Sequence, residues 1–282
     1  MMALKLIVTS SKDPASLNIK RALMDLVDFK ESSLNFDGAP IMFRGDVALV
    51  TVDKELIHAD HIDGLLDAEL AVFASRHESS SKLPSLLTHI PGNWTLKAEA
   101  GGKPKSLCRA CPSVLKETLL ELEAQRRRLG LHEWLCGVEA THHGPYLEKT
   151  PAIFVEIGSS EEEWLNKTAA IAVANAILKA VSSKVSYRPL LCFGGTHYAP
   201  KFTKLMLETA WTAAYIAPKY VVDELDEAIL AHALQRSCEA VEAAALDWKG
   251  LKGAQREALI KLLSKVGLKV CKADELFERE GI

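Results

Sequence analysis

The sequence predicts an α/β protein with a mainly parallel or mixed sheet and helices on both faces of that sheet. Short apolar runs rich in β-branched residues recur along the chain, and segments with helical spacing of apolar residues separate them. The chain has 282 residues, of which 48% are hydrophobic and 25% charged, as is typical of a globular protein with a large core. The net charge of -3 gives no overall basic character.

The first half of the chain begins with a βα unit. Residues 3–9 predict a buried strand, and Asp13 as N-cap with Pro14 at the first helical position predicts a helix to about residue 27. The same patterns predict the remaining elements of this half: strands at 46–52 and 70–74, a loop at 75–82, irregular structure at 83–107 with a strand ending at His89, and a helix over 112–129.

The second half continues the alternation. Residues 152–158 are the strongest strand candidate, and Ser160 begins a capping-box pattern that predicts a helix to about Val181. Further predicted elements are strands at 134–140, 189–193 and 213–217, a helix from Pro200, helices over 224–248 and 255–266, and a short strand at 268–270.

Two regions are expected from this pattern. Residues 1–217 form an α/β catalytic region with a basic loop and helix segment near 83–130, and residues 218–282 form a mainly helical region packed on it. The six cysteines, including the pair Cys108 and Cys111, are interpreted as ordinary thiols, or as a disulfide if the organism is a hyperthermophile. With no signal segment and no apolar run of membrane-spanning length, a cytoplasmic monomer is expected.

Histidines recur where the predicted strands give way to loops. Five of the nine histidines follow this pattern: His77, His89, His142, His143 and His197. Ligands of α/β proteins bind beyond the carboxyl ends of the strands, so the pattern predicts one convergent active site. Taken singly, each histidine has a structural alternative as a surface or hydrogen-bonded residue.

Histidine and carboxylate side chains together indicate a catalytic metal site. Three such ligands hold zinc and leave one position open, and Glu156 in the strongest predicted strand supplies a carboxylate. Neighbouring side chains generally diverge, so only one of His142 and His143 is expected to face the site. Metal-free hydrolysis is the alternative, with histidine as base and the amides of Gly194 and Gly195 binding the oxyanion.

Five segments resemble the signature blocks of the archaeal and plant-type D-aminoacyl-tRNA deacylases. They are SRHESSS (75–81), LLTHIPGN (86–93), ATHHGP (140–145), FVEIGS (154–159) and GGTHYAPK (194–201). The resemblance implies hydrolysis of the ester between a D-amino acid and the terminal ribose of tRNA. It also implies zinc as the cofactor and a core similar to peptidyl-tRNA hydrolase and zinc-exopeptidase folds.

Ester hydrolysis requires an activated water, stabilisation of the oxyanion and a proton donor for the leaving hydroxyl. The hypothesis assigns metal binding or general base catalysis to four residues: His77, His142, Glu156 and His197. His89 or Arg76 is expected to stabilise the developing negative charge, with His143 as a further catalytic candidate.

The tRNA substrate is expected to bind near these residues. Tyr198 and Lys201 are candidate contacts for the ribose-phosphate end, and Trp94 and Tyr198 for stacking on the terminal adenine, with a packing role as the alternative for Trp94. Residues 97–128 carry eight basic and four acidic side chains, and the basic ones include Arg126, Arg127 and Arg128. This cluster is either a phosphate-binding surface or a solvated helix face.

Two other functions are compatible with the same residues. A zinc amidase or exopeptidase would use the same histidines, and a noncatalytic tRNA-binding protein would use only the basic cluster. Turnover of peptides without turnover of aminoacyl-tRNA would favour the former, and tRNA binding without hydrolysis the latter.

Overall fold

The computed structural model describes residues 4–278, which form fourteen strands and eight α-helices. The strands are β1 (Lys5–Ser10), β2 (Lys30–Phe36), β3 (Ala39–Arg44), β4 (Val47–Val52), β5 (Leu70–Glu78), β6 (Ser85–His89), β7 (Gly92–Asn93), β8 (Ser106–Leu107), β9 (Leu135–Val138), β10 (Ala152–Ser159), β11 (Arg188–Phe193), β12 (Trp211–Ala217), β13 (Ala243–Leu246) and β14 (Val270–Lys272). The helices are α1 (Pro14–Leu26), α2 (Pro112–Arg128), α3 (Glu161–Trp164), α4 (Lys167–Ser182), α5 (Pro200–Glu208), α6 (Glu227–Arg236), α7 (Gly253–Lys265) and α8 (Ala273–Glu278).

The main sheet has eight strands in the order β2-β3-β4-β1-β5-β10-β6-β9. Strands β4, β1, β5 and β10 are parallel, whereas β6 and β9 run in the opposite direction because β6 pairs antiparallel with β10. The sheet is therefore mixed, as predicted. Every residue of β10 is buried, as expected for a central strand with neighbours on both sides.

The two faces of the main sheet are covered differently. Ile7 and Val72 belong to the face on which α1, α2 and α4 pack, and Leu6 and Phe73 belong to the other face. That other face is covered by residues of short 3₁₀ helices at Leu56–His58, Asp60–Ile62 and Leu65–Asp67. Helices were predicted on both faces of the sheet. The structure has α-helices on one face and short 3₁₀ helices on the other.

A second sheet has four parallel strands in the order β12-β11-β13-β14. It contains strands from both sides of position 217, since β11 pairs with β12 on one side and with β13 on the other. The helix predicted over 224–248 is wrong in its second half, where residues 243–246 form β13. Helix α2 packs against both sheets, and the buried side chains on the helix-covered face of the main sheet join those of the second sheet in one core cluster.

Polar side chains fix the ends of two predicted helices. Asp13 caps α1 by accepting a hydrogen bond from the Ser16 amide at 3.0 Å, as predicted. The helix predicted from Ser160 to Val181 is divided into α3 and α4, because Asn166 caps a new helix. Within residues 4–278, no helix is long and apolar enough to span a membrane.

Candidate active site

Strands β5 and β10 place the first two site residues. His77 on β5 is paired with Gly158, two residues after Glu156 on β10. His89 is the last residue of β6 and is paired with Phe154, because β6 runs antiparallel to β10. The ends of β6 and β9 therefore approach β10 from the side opposite to the end of β5, and His77 and His89 reach the site from strands that run in opposite directions.

Both histidines of the 142–143 pair reach the site. Their loop is held to the chain after β6, since the Gly92 amide faces the carbonyls of His142 at 3.1 Å and of His143 at 2.8 Å. His143 adopts a positive φ of 44°, which turns the backbone between the two side chains. Both rings line the same cavity, with centroids 4.2 Å apart, so the expectation that only one would face the site is wrong.

The second sheet supplies His197. This residue follows β11, and its carbonyl accepts a hydrogen bond from the Ala140 amide at 2.7 Å. The next amide, that of Thr141, bonds to the Ile216 carbonyl at 2.9 Å, and Ile216 lies on β12. These bonds join the loop of His142 to the end of the second sheet.

The assembled side chains surround a cavity of about 320 Å³. Its lining includes His77, His142, His143, Glu156, His197 and Arg76. Arg76 donates hydrogen bonds to the Glu55 carboxylate at 3.0 and 3.2 Å and lies over the Trp164 ring. His89 is fully buried beside the cavity, where its ring stacks on that of His142.

Glu139 is a site residue that the sequence analysis missed. It directly follows β9, is 1% exposed, and its Oε1 lies 2.8 Å from His197 Nε2 and 3.3 Å from His77 Nδ1. Its other oxygen lies 3.9 Å from His89 Nδ1. The available signal was a single carboxylate at the end of an apolar run, three residues before His142.

The structure contains buried polar atoms that suit a metal ion. Within residues 4–278, both oxygens of Glu139 and both ring nitrogens of His89 are buried without a hydrogen-bond partner, although Glu139 lies within ion-pair distance of His197. Such atoms are rare unless an ion or water satisfies them. Three groups have ligand atoms within 4.8 Å of one another: Glu139, His142 and His197; His77, Glu139 and Glu156; and His89, His142 and His143.

The histidines differ in their pKa values. Burial lowers the pKa of His89 to about 3 and places that of His142 well below its usual value, and it also lowers the pKa of His143. Burial opposes protonation of His77 as well, but the carboxylates of Glu156 and Glu139, at 3.7 and 3.3 Å from its Nδ1, outweigh it and raise the pKa of His77 to about 10. Neutral imidazoles, as at His142, are the form that binds metal ions.

The predicted tRNA contacts lie in different surroundings. The Tyr198 hydroxyl is 3.2 Å from His77 Nε2 and donates to Ser79 at 3.0 Å, so Tyr198 belongs to the site. Lys201 forms an ion pair with Asp274 at the start of α8. Trp94 is 3% exposed and donates to the Ile216 carbonyl at 3.2 Å, so its ring packs in the core and offers no face for stacking on a base.

The three arginines at the end of α2 bind neighbouring side chains of the same helix. Arg126 and Arg127 both pair with Glu123, at 2.7 and 2.6 Å, and Arg128 donates to Gln125. None of the three is among the residues that line the active-site cavity. These contacts favour the solvated helix face, one of the two predicted interpretations, over the phosphate-binding surface.

The fold and the site define an α/β protein in which histidines and carboxylates converge on one cavity, a donor set suited to hydrolysis. A family model described as D-aminoacyl-tRNA deacylase matches residues 65–271. A D-aminoacyl-tRNA deacylase of Pyrococcus furiosus is 42% identical over 275 residues, which cover 95% of this chain and 100% of that protein. The D-aminoacyl-tRNA deacylase of Methanosarcina acetivorans is 37% identical, covering 98% and 94% of the two chains.

The chain belongs to the D-aminoacyl-tRNA deacylase family, a family of hydrolases that act on an ester bond. It is also similar to the crystal structure of a conserved protein of unknown function, with a TM-score of 0.90 and 33% identity over 99% of this chain and 98% of that one. Family membership confirms the resemblance of the signature blocks. It favours the deacylase hypothesis over an amidase or a noncatalytic tRNA-binding protein.

Proposed function

We propose that the cavity between β5, β10 and the His197 loop is where this chain hydrolyses the ester of a D-aminoacyl-tRNA, releasing the free D-amino acid and tRNA. The observation that carries the proposal is the convergence of His77, His142, Glu156 and His197 on one cavity beside the buried carboxylate of Glu139, which has no hydrogen-bond partner. Removal of mischarged D-amino acids from tRNA would be its role in the cell. The chain would act there as a cytoplasmic monomer.

Zinc is the proposed cofactor, held by Glu139, His142 and His197. Two histidines and one carboxylate are a donor set of hydrolytic zinc sites, and their ligand atoms lie within 4.8 Å of one another. This set keeps His142 and His197 of the four ligands predicted from the sequence and leaves His77 and Glu156 for other roles. When bound, zinc supplies a Lewis acid that polarises the ester carbonyl.

The remaining side chains would move protons. Glu156, a buried carboxylate on the cavity wall, accepts a proton from the water that attacks the ester carbonyl carbon. The bond from that carbon to the ribose oxygen breaks, and His77, held between Glu139 and the Tyr198 hydroxyl, delivers a proton to the leaving oxygen. Arg76 lies on the same wall and stabilises the developing negative charge.

The test is release of D-tyrosine and L-tyrosine from charged tRNA by the purified protein, with and without a zinc chelator. We expect release of only the D form, and loss of activity on chelation that added zinc restores. Glu156→Gln should lower kcat by about 100-fold, in the usual range for loss of a general base. The matched control is Glu162→Gln, an exposed residue on α3. Equal activity of the Glu156→Gln variant, or hydrolysis of neither ester, would contradict the proposal.

A further inference from the structure

A second cavity lies at the carboxyl edge of the four-stranded sheet. It has a volume of about 380 Å³, and its lining includes Lys219, Tyr220, Lys249 and Lys252. The first two residues follow β12 and the last two follow β13. Because all four strands of this sheet are parallel, these loops meet at the same edge.

The topology of the sheet makes this edge a ligand-binding position. From β11 the chain passes through α5 to β12 on one side, whereas β13, on the other side of β11, leads through α7 to β14. The direction of connection therefore reverses between β11 and β13, and in open parallel sheets the crevice outside such a reversal binds ligands. Gly195, in the loop after β11, lets the Asp247 side chain approach the backbone closely, since a Cβ atom on this residue would lie 3.2 Å from Asp247 Oδ2.

The charge of this cavity favours an anion. Its three lysines are exposed, and among the residues that the structure describes none of them forms an ion pair. Asp223 also lines the cavity, so three lysines stand against one carboxylate, which accepts a hydrogen bond from Gln255 at 2.9 Å. Lys252 is also the N-cap of α7, and a lysine side chain has no acceptor for the amides of the first helical turn. Lysines and helix amides together suit a phosphate.

The cavity adjoins the active site through Tyr220. This side chain is 57% exposed and its hydroxyl lies 3.3 Å from His197 Nδ1. The preceding amide, that of Lys219, donates to the Gly195 carbonyl at 3.1 Å, which fixes the loop after β12 to the loop that carries His197. Only the Tyr220 side chain separates the lysines from the active site, so a polymer with its end in the active site can reach them.

We propose that this lysine cavity binds a backbone phosphate of the single-stranded 3′ end of tRNA while the terminal ribose ester lies in the active site. The inference rests on the proposed function, which supplies the substrate. It assigns tRNA binding to a part of the chain different from the arginines at the end of α2. A contact of this kind contributes to substrate affinity and makes it dependent on salt.

The experiment compares two substrates and two double variants. The substrates are D-tyrosyl-tRNA and the D-tyrosyl ester of adenosine, which has no phosphate. The test variant is Lys249→Ala with Lys252→Ala, and the control is Lys261→Ala with Lys269→Ala, which removes two exposed lysines outside the cavity. Thermal unfolding of each variant confirms that it is folded.

We expect the test variant to raise the ratio of KM for D-tyrosyl-tRNA to KM for the adenosine ester about tenfold, and the control to leave it unchanged. The slope of log KM against log salt should fall by about 0.7 for each phosphate that the variant no longer neutralises. An unchanged ratio and slope would overturn the inference while the wild-type activity still supports the proposed function. If the wild type hydrolyses neither ester, binding of uncharged tRNA is compared instead, and equal affinity of the test variant overturns the inference.

Discussion

At the scale of single residues, Glu139 shows how a site side chain escapes detection in the sequence. The five histidines are predicted because each follows a strand and because the signature blocks contain them. Glu139 lies inside the strand predicted at 134–140 and outside the signature blocks, and its importance comes from three-dimensional proximity to His77, His89 and His197. Only the folded chain reveals that its carboxylate is buried at the centre of the cluster.

Glu139→Gln is predicted to lower kcat/KM for D-tyrosyl-tRNA by at least about 100-fold, because loss of a group that only supports a metal ligand already costs up to about 100-fold. The amide keeps the size of the side chain but removes the charge that faces three imidazoles. Zinc content of the purified protein should fall in parallel. Glu133→Gln, on the exposed loop before β9, is the control. Activity of the Glu139→Gln variant within threefold of the wild type would remove Glu139 from the site.

Cys238 is predicted to react with iodoacetamide faster than the other five cysteines. It is exposed, and its interaction with Cys111 and the charge of Arg109 lower the pKa of its thiol, whereas burial raises the pKa of Cys108 to about 12. Since the thiolate is the reactive form, Cys238 should react at a lower pH than the buried thiols do. Peptide mass spectrometry identifies the modified residue, and first modification at Cys108 or Cys192 would contradict the prediction.

At the scale of elements, the sequence correctly predicts the helices and strands whose local residue pattern favours the same structure as their tertiary contacts do. Strand β10 is buried along its whole length and closely matches its apolar run, and α1 begins after the predicted cap Asp13. Strand β13 was missed because its residues, AAAL, prefer helices, and only pairing with β11 and β14 makes them extended. The packing of a second sheet thus overrides a local preference.

The hairpin β2-β3 was missed for the opposite reason. Its first strand is polar and mostly exposed, so it has no apolar alternation to indicate a strand. A signal was nevertheless present in Asp37-Gly38, which adopt φ values of 46° and 79° between the two strands. Asp-Gly is a preferred pair in two-residue hairpin turns, and this turn chemistry predicts the hairpin better than hydrophobicity does.

Gly101→Ala is predicted to destabilise the fold by about 3 kcal/mol, combining a left-handed backbone with a steric clash. Gly101 has a φ of 83°, and a Cβ atom on it would lie 2.0 Å from the Ile57 carbonyl oxygen. Gly130→Ala is the matched control, since Gly130 has a φ of 72° with nothing within 4 Å of the added atom, and it should cost about 1 kcal/mol. Urea unfolding measures the free energy of unfolding of both variants. Equal decreases would show that the backbone at Ile57 moves away from the added atom at little cost.

At the scale of the whole molecule, the active site depends on both sheets. The main sheet supplies His77, His89 and Glu156, and the second sheet supplies His197. The helix-covered face of the main sheet and the second sheet share one core cluster, to which Leu246 and Leu263 contribute from beyond position 217. The expected catalytic region 1–217 therefore contains the cavity residues but shares its core with the rest of the chain.

A chain that ends at residue 217 is predicted to lose cooperative folding. It would leave β11 without its partner β13 and remove Leu246, Leu259 and Leu263 from the core. It would also remove Arg236, whose guanidinium donates to the Leu147 and Glu148 carbonyls at 2.7 Å each. Burial of each leucine stabilises a fold by about 2 kcal/mol, so losing all three is comparable to the stability of a whole domain.

Thermal unfolding followed by near-ultraviolet circular dichroism measures this loss. We expect no sharp transition for residues 1–217 alone, and recovery of a transition and of D-tyrosyl-tRNA hydrolysis when the segment 218–282 is produced together with it, because the strand edge of β11 is then paired again. Should residues 1–217 unfold cooperatively by themselves, the second sheet contributes less to the core than its buried leucines imply, and the boundary predicted from the sequence separates two independent folding units.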